Sequence, residues 1–277
     1  ARSFVLDDGV DLLFGPISSA NRVAMGEVVR ENEIPHLYPI QYEGHLADDY
    51  CNEWLFKIGP TPAQNIEPLT PYLLENYGDR FFLIGDDYLW PEGILSVVRE
   101  GVEAADGEIL EELYVEIGTT DYSSIVTRIA NAEPDVLVSV VTGEGPIAIQ
   151  EEMHDQGVRD QFQDVGIAHG DMTMAATEAA AADGVLASHS YLPSLENDAN
   201  QQFVERFHEE YGEGGMNYLT GLSYTAMQLL AVAVEEAGGT GPADIRDTYG
   251  SVSIDSVVGE ATMEVDNQVS DRKSTRL

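Results

Sequence analysis

The sequence predicts an α/β protein built on parallel sheets. Short apolar runs alternate with amphipathic segments along most of the 277 residues. The runs, such as RFFLIG (80–85) and DVLVSVV (135–141), are almost continuously apolar, as strands covered by helices on both faces must be. Gly, Pro, Asp and Thr clusters separate one segment from the next.

ARSFVLDDG (1–9) reads as the last turns of a helix and a turn at Asp8-Gly9, before the strand VDLLF (10–14). Further strands are predicted at 34–38, 54–58, 80–85, 108–115, 135–141, 164–168 and 184–191. Helical patterning covers 18–31, 62–77, 91–105, 122–131, 145–157 and 172–181, then 197–211, 218–237 and 242–249. A short β-rich stretch, VVGEATMEV (257–265), follows. Thr119, Thr120 and Asp121 offer N-caps for the helix near Tyr122, and Glu133-Pro134 stops it.

Composition narrows the function. Fifty acidic residues face 13 basic ones, for a net charge of −37, and only Lys57 and Lys273 are lysines. Such a surface repels nucleic acid and anionic lipid. It suits molar salt, where the screening length is about 3 Å, and predicts a halophilic source. No apolar run reaches the roughly 18 residues of a membrane span. The lone Cys51 excludes an intrachain disulfide and a cysteine zinc cluster. The tail SDRKSTRL is the one basic patch, and both ends read as trimmed, with any signal region outside the chain.

Open α/β sheets bind ligands beyond the carboxyl ends of their strands. Six strand exits here are rich in hydroxyl and aromatic residues. LLFGPISSANR offers Ser18 as helix cap or as donor beside free helix N–H groups. HLYPIQYEG places Tyr38 and Tyr42 around Pro39, either as packing rings or as walls of a site. IGDDYLWPEG puts Tyr88 and Trp90 on the loop after a strand. SVVTGEGP carries Thr142 without the spacing or cation of a phosphate cradle, GIAHGD carries His169, and ASHSYLPS carries His189, Ser190 and Tyr191. Together they suggest an aromatic-walled cleft for a small polar ligand without strong net charge. No hydrolase or metalloprotease motif appears, so neither catalytic residue, metal nor cofactor is expected.

GPISSANR, YPIQYEG, IGDDYLWPEG and IGTTDYSSIVTRIANAEPDVLVSVVTGEG, in that order, resemble the type I periplasmic binding proteins of the urea and short-chain-amide branch. SYLPSLENDANQQFVERFHEEYG extends the resemblance over nearly the whole chain. It implies two α/β lobes joined by three crossings, lobe one at 1–59 and 194–258 and lobe two at 60–193 and 259–277, with a first βαβ unit missing from lobe one. It implies an extracytoplasmic receptor that closes on its ligand and delivers it to ABC permease subunits. The ligand-contacting positions fall on Ser18, Tyr38, Tyr42, Tyr88, Trp90 and Thr142, and His169 stands where acidic or hydroxyl residues are usual. Ile40 occupies a position that is threonine in amide sensors and aliphatic in urea receptors, which favours urea. The alternatives are a branched-chain amino-acid receptor, needing an acid such as Asp121, Glu144 or Asp171 for the ligand ammonium, an intracellular amide sensor, or an amidohydrolase.

Overall fold

A computed structural model describes residues 1–44, 52–263 and the backbone of 269–271. Cys51 and Lys273, with most of the basic tail, lie outside the described residues. The chain divides into two compact units, the first holding residues 1–42, 52–60 and those from 190 onward, the second 43–44 and 61–189.

The first unit begins with helix α1 (Arg2–Leu6) and three parallel strands, β1 (Leu13–Phe14), β2 (His36–Tyr38) and β3 (Leu55–Lys57), in that spatial order. Helix α2 (Ser19–Asn32) joins β1 to β2. It starts where Ser18 Oγ accepts the amide N–H of Asn21 at 3.3 Å, and it ends at Glu33 in a left-handed conformation.

The second unit contains α3 (Pro62–Asn65), α4 (Leu69–Asn76), β4 (Arg80–Asp86), α5 (Leu89–Ala104), β5 (Glu108–Val115), α6 (Ser123–Ala132), β6 (Val136–Val140), α7 (Gly145–Asp155), β7 (Gln163–Gly166), α8 (Asp171–Ala176) and α9 (Ala179–Ala182). Its sheet is parallel with order β5-β4-β6-β7. Successive β4 side chains alternate between two cores. Phe81 and Leu83 join Ile94, Leu95 and Val138 on one face, while Phe82 and Ile84 join Val126, Ile129 and Leu137 on the other. Burial on both faces explains why this strand reads as continuously apolar. The connection from β4 runs to β5 and that from β6 runs to β7, toward opposite edges, so the boundary between β4 and β6 is a topological switch point.

The chain then completes the first unit with α10 (Asp198–Tyr211), α11 (Tyr218–Ala237), α12 (Pro242–Tyr249) and an antiparallel meander of β8 (Ser253–Ser256), β9 (Gly259–Met263) and β10 (Val269–Asp271). Leu37, Phe56 and Ile58 pack with Ala226, Leu229, Ala233 and Tyr249 in this unit's core.

Four expectations change. The helix predicted at 62–77 breaks between α3 and α4, where Pro68 has no N–H to carry the ladder on. The segment at 172–181 divides into α8 and α9 at Thr177, whose backbone is extended. The strand predicted at 184–191 is reduced to one parallel bridge between Val165 and Leu186. Past Leu186, side-chain bonds replace ladder pairing: Ser188 donates to the Asn65 carbonyl at 3.1 Å and His189 donates to the His169 carbonyl. Finally, β9 turns straight back onto β8, Ser256 opposite Gly259, so residues 259–263 stay in the first unit rather than crossing to the second.

Candidate functional site

In the first unit, the carboxyl ends of β1, β2 and β3 gather the residues predicted from GPISSANR and HLYPIQYEG. Ser18 is half-buried and serves as the α2 cap. Ser19, only 2% exposed, has a hydroxyl with no hydrogen-bond partner among the described residues. Tyr38 is buried, and its hydroxyl donates to the Ile17 carbonyl at a long 3.4 Å. Tyr42 is buried as well, with Tyr38, Leu55 and the half-buried Ile40 around it.

Two cations fix these rings. The Arg22 guanidinium lies 5.4 Å from the Tyr38 ring centre and 4.8 Å from that of Tyr42. The Lys57 ammonium lies 4.7 Å from the Tyr42 ring centre. Arg22 is wholly buried and Lys57 nearly so, where a cation over a ring face gains the most. Arg22 and Lys57 thus put positive charge beside an exit that the sequence suggested would serve a ligand without strong net charge. His36, also buried, donates to the Gly15 carbonyl. Burial, reinforced by the Arg22 charge and opposed by that hydrogen bond, lowers its pKa from 6.5 to about 4, so it is neutral at pH 7.

In the second unit the exits of β4 and β6 meet at the switch point. Asp86, the last residue of β4, is 1% exposed. One of its oxygens accepts both the Thr142 amide N–H at 2.8 Å and the Thr142 hydroxyl at 2.5 Å. Burial pushes the Asp86 carboxyl above its usual range, against the pull of those two bonds. Tyr88 is the N-cap residue of α5, which begins two residues earlier than predicted, so Trp90 stands in its first turn and not on a loop. Pro91 is accommodated there because first-turn N–H groups have no helical partner. The Tyr88 and Trp90 ring centres are 6.4 Å apart, and the buried Trp90 indole N–H has no partner among the described residues. Tyr122, buried just before α6, also keeps an unpartnered hydroxyl. Its pKa is raised by burial first and by the Asp86 charge second.

His169 follows β7 but does not join this group. Its ring lies against Gly166, and its Nε2 is 3.3 Å from the Gln150 amide nitrogen, which donates to Asp164. Burial holds its imidazole below the usual range, so it too is neutral. The acids considered for an ammonium, Asp121, Glu144 and Asp171, are exposed, and Asp121 accepts the Ser123 N–H and hydroxyl at 3.1 and 2.6 Å.

Sequence reading missed Arg22, Lys57, Asp86 and Tyr122. A signal existed for two of them. Arg22 lies one helical turn beyond Ser18, and Lys57 ends an otherwise apolar strand. Among the described residues no group of three or more His, Cys, Asp or Glu could hold a metal ion, and no helix is long and apolar enough to cross a membrane.

Known proteins place this architecture. A curated relative, Leu/Ile/Val-binding protein homolog 1 of Brucella abortus, is 25% identical over 247 residues, covering 86% of this chain. The chain spans 63% of that relative's length. Among solved structures, a solute-binding protein of an ABC transporter from R. palustris, in complex with benzoate, is 20% identical with a TM-score of 0.87, covering 97% of this chain and 74% of its own. A leucine-binding protein from Thermotoga maritima is 17% identical with a TM-score of 0.83, covering 96% and 76%. These structures show the shared two-lobed α/β fold, and the proteins are solute receptors rather than enzymes. The family model described as periplasmic binding protein matches residues 1–272, and the chain belongs to that family.

Proposed function

We propose that this chain is the ligand-capturing part of an extracytoplasmic receptor that closes on urea or a short-chain amide and passes it to ABC permease subunits. The receptor reading is supported by the family match over residues 1–272. The ligand reading is carried by the start of α2, where the buried Ser19 hydroxyl has a proton to donate beside the free N–H groups of a helix N-terminus. That chemistry suits a carbonyl oxygen. In this reading the first unit offers Ser18 and Ser19 to the ligand oxygen, with Tyr38, supported by Tyr42, as an aromatic face. The second unit offers the Tyr88 and Trp90 rings and the lone pairs of Thr142 to ligand N–H groups, and His169 supports the β7 exit. Hydrogen bonds to a neutral amide yield little in water, so exclusion of solvent is what makes them selective.

We also read the charge of −37 as adaptation to molar salt. A second reading, an amino acid, is favoured by the relatives named for leucine, isoleucine and valine and by the buried Asp86, a carboxylate able to face a ligand ammonium. Calorimetry on the full-length receptor in molar salt, with urea, acetamide, leucine and benzoate titrated separately, decides between them. Urea or acetamide should bind most tightly. Tighter binding of leucine or benzoate would replace the amide reading, and release of ammonia from urea would overturn the receptor class.

A further inference from the structure

We propose that Asp86 sets ligand selectivity by making its pair with Thr142, at the exits of β4 and β6, an acceptor pair that recognises ligand N–H groups. The inference rests on the solute-receptor reading and names the chemistry that the second unit offers a ligand.

A threonine hydroxyl has one proton to give. In Thr142 that proton goes to Asp86 Oδ2 at 2.5 Å, and the Thr142 amide N–H goes to the same oxygen at 2.8 Å. Only lone pairs remain on Thr142 Oγ1, and a carboxylate in its ionised form is also purely an acceptor. An amide NH₂ or an ammonium arriving there finds partners. A carboxylate or carbonyl oxygen placed against this pair meets lone pairs and a negative charge.

The position suits a binding role, because β4 and β6 are neighbours at the switch point of a β5-β4-β6-β7 sheet. Asp86 also carries a cost that the fold does not recover. It is 1% exposed, and among the described residues no arginine or lysine is paired with it. A buried carboxylate without a cation disfavours folding, and such groups concentrate where function retains them. The charge reaches the buried Tyr122, whose hydroxyl has no partner among the described residues. A fold needing only to tie β4 to β6 would do so with a neutral asparagine.

The test uses two ligand pairs that differ only in the group at issue: acetamide against acetate, and leucine against 4-methylpentanoate. Calorimetry on the full-length receptor in molar salt measures the preference within each pair. Wild type should favour the N–H member of whichever pair it binds. Asp86→Asn keeps an oxygen for Thr142 but removes the charge, and should lower that preference by about 10-fold with an unchanged or higher Tm. Thr142→Val, which removes the hydroxyl acceptor, should weaken the N–H ligand several-fold and leave the acid little affected. An unchanged preference in both variants overturns the inference, as does a wild type that binds the acid of a pair as tightly as its N–H counterpart. Binding of leucine without urea or acetamide overturns the amide reading alone, and the leucine pair then carries the Asp86 test. Binding of neither pair overturns the ligand reading and this inference together.

Discussion

Tyr38 and His36 show how single side chains at β2 divide their work. The bond from the Tyr38 hydroxyl to the Ile17 carbonyl is long at 3.4 Å, so losing that bond costs little stability. Tyr38→Phe should therefore shift unfolding by less than about 1 kcal/mol while lowering ligand affinity several-fold, if the hydroxyl serves the ligand. Thermal melts beside calorimetry check it, and a large loss of stability would reassign the residue to the fold. His36 links folding to pH. Its folded pKa of about 4 lies below the ordinary 6.5, so the unfolded chain takes up a proton that the native one refuses. Stability from this group is complete above pH 6.5 and is lost as pH falls toward 4, by at most about 3 kcal/mol. Thermal unfolding at several pH values, in wild type and in His36→Gln, should show a shallower acid loss in the variant. Parallel curves would remove His36 as the cause.

At the scale of elements, glycines mark where backbone approaches a neighbour too closely for any side chain. Gly221 lies in α11, where alanine would ordinarily gain about 1 kcal/mol of helix propensity. An added Cβ would clash with the ring of the buried Tyr191. Overpacking of this kind costs about 1 to 3 kcal/mol, so the clash wins and Gly221→Ala should lower Tm. A rise in Tm would mean that Tyr191 relaxes freely. Helix and strand types were largely legible from periodicity, because burial on two faces leaves an unbroken apolar run. The loss of the strand predicted at 184–191 was not legible, since it rested on Ser188 and His189 bonding to carbonyls distant in sequence.

For the whole molecule, charge dominates the response to solvent. With a net charge of −37, self-repulsion opposes the compact state and is screened only when the Debye length falls well below the roughly 8 Å of physiological salt. Tm should rise steadily from 0.1 to 2 M KCl, by more than the small change expected of a near-neutral homologue. A flat salt profile would separate the acidic composition from any halophilic adaptation. Two compact units with separate sheets also favour local rather than uniform opening, which hydrogen exchange can resolve.

The sequence by itself determined the alternation of strand and helix, the parallel sheets, the family pattern and the exits on which Ser18, Tyr38, Tyr42, Tyr88 and Trp90 stand. Those features follow from local spacing and from the period of apolar residues, which are written in neighbouring positions. Only the tertiary structure decided what each exit presents. It buried Arg22 and Lys57 against Tyr42, turned His169 behind β7, returned β9 to the first unit, and set Asp86 against Thr142 across 56 positions of sequence. Hydrogen bonds, burial and charge act between atoms that the chain brings together from afar, and no local pattern encodes that meeting.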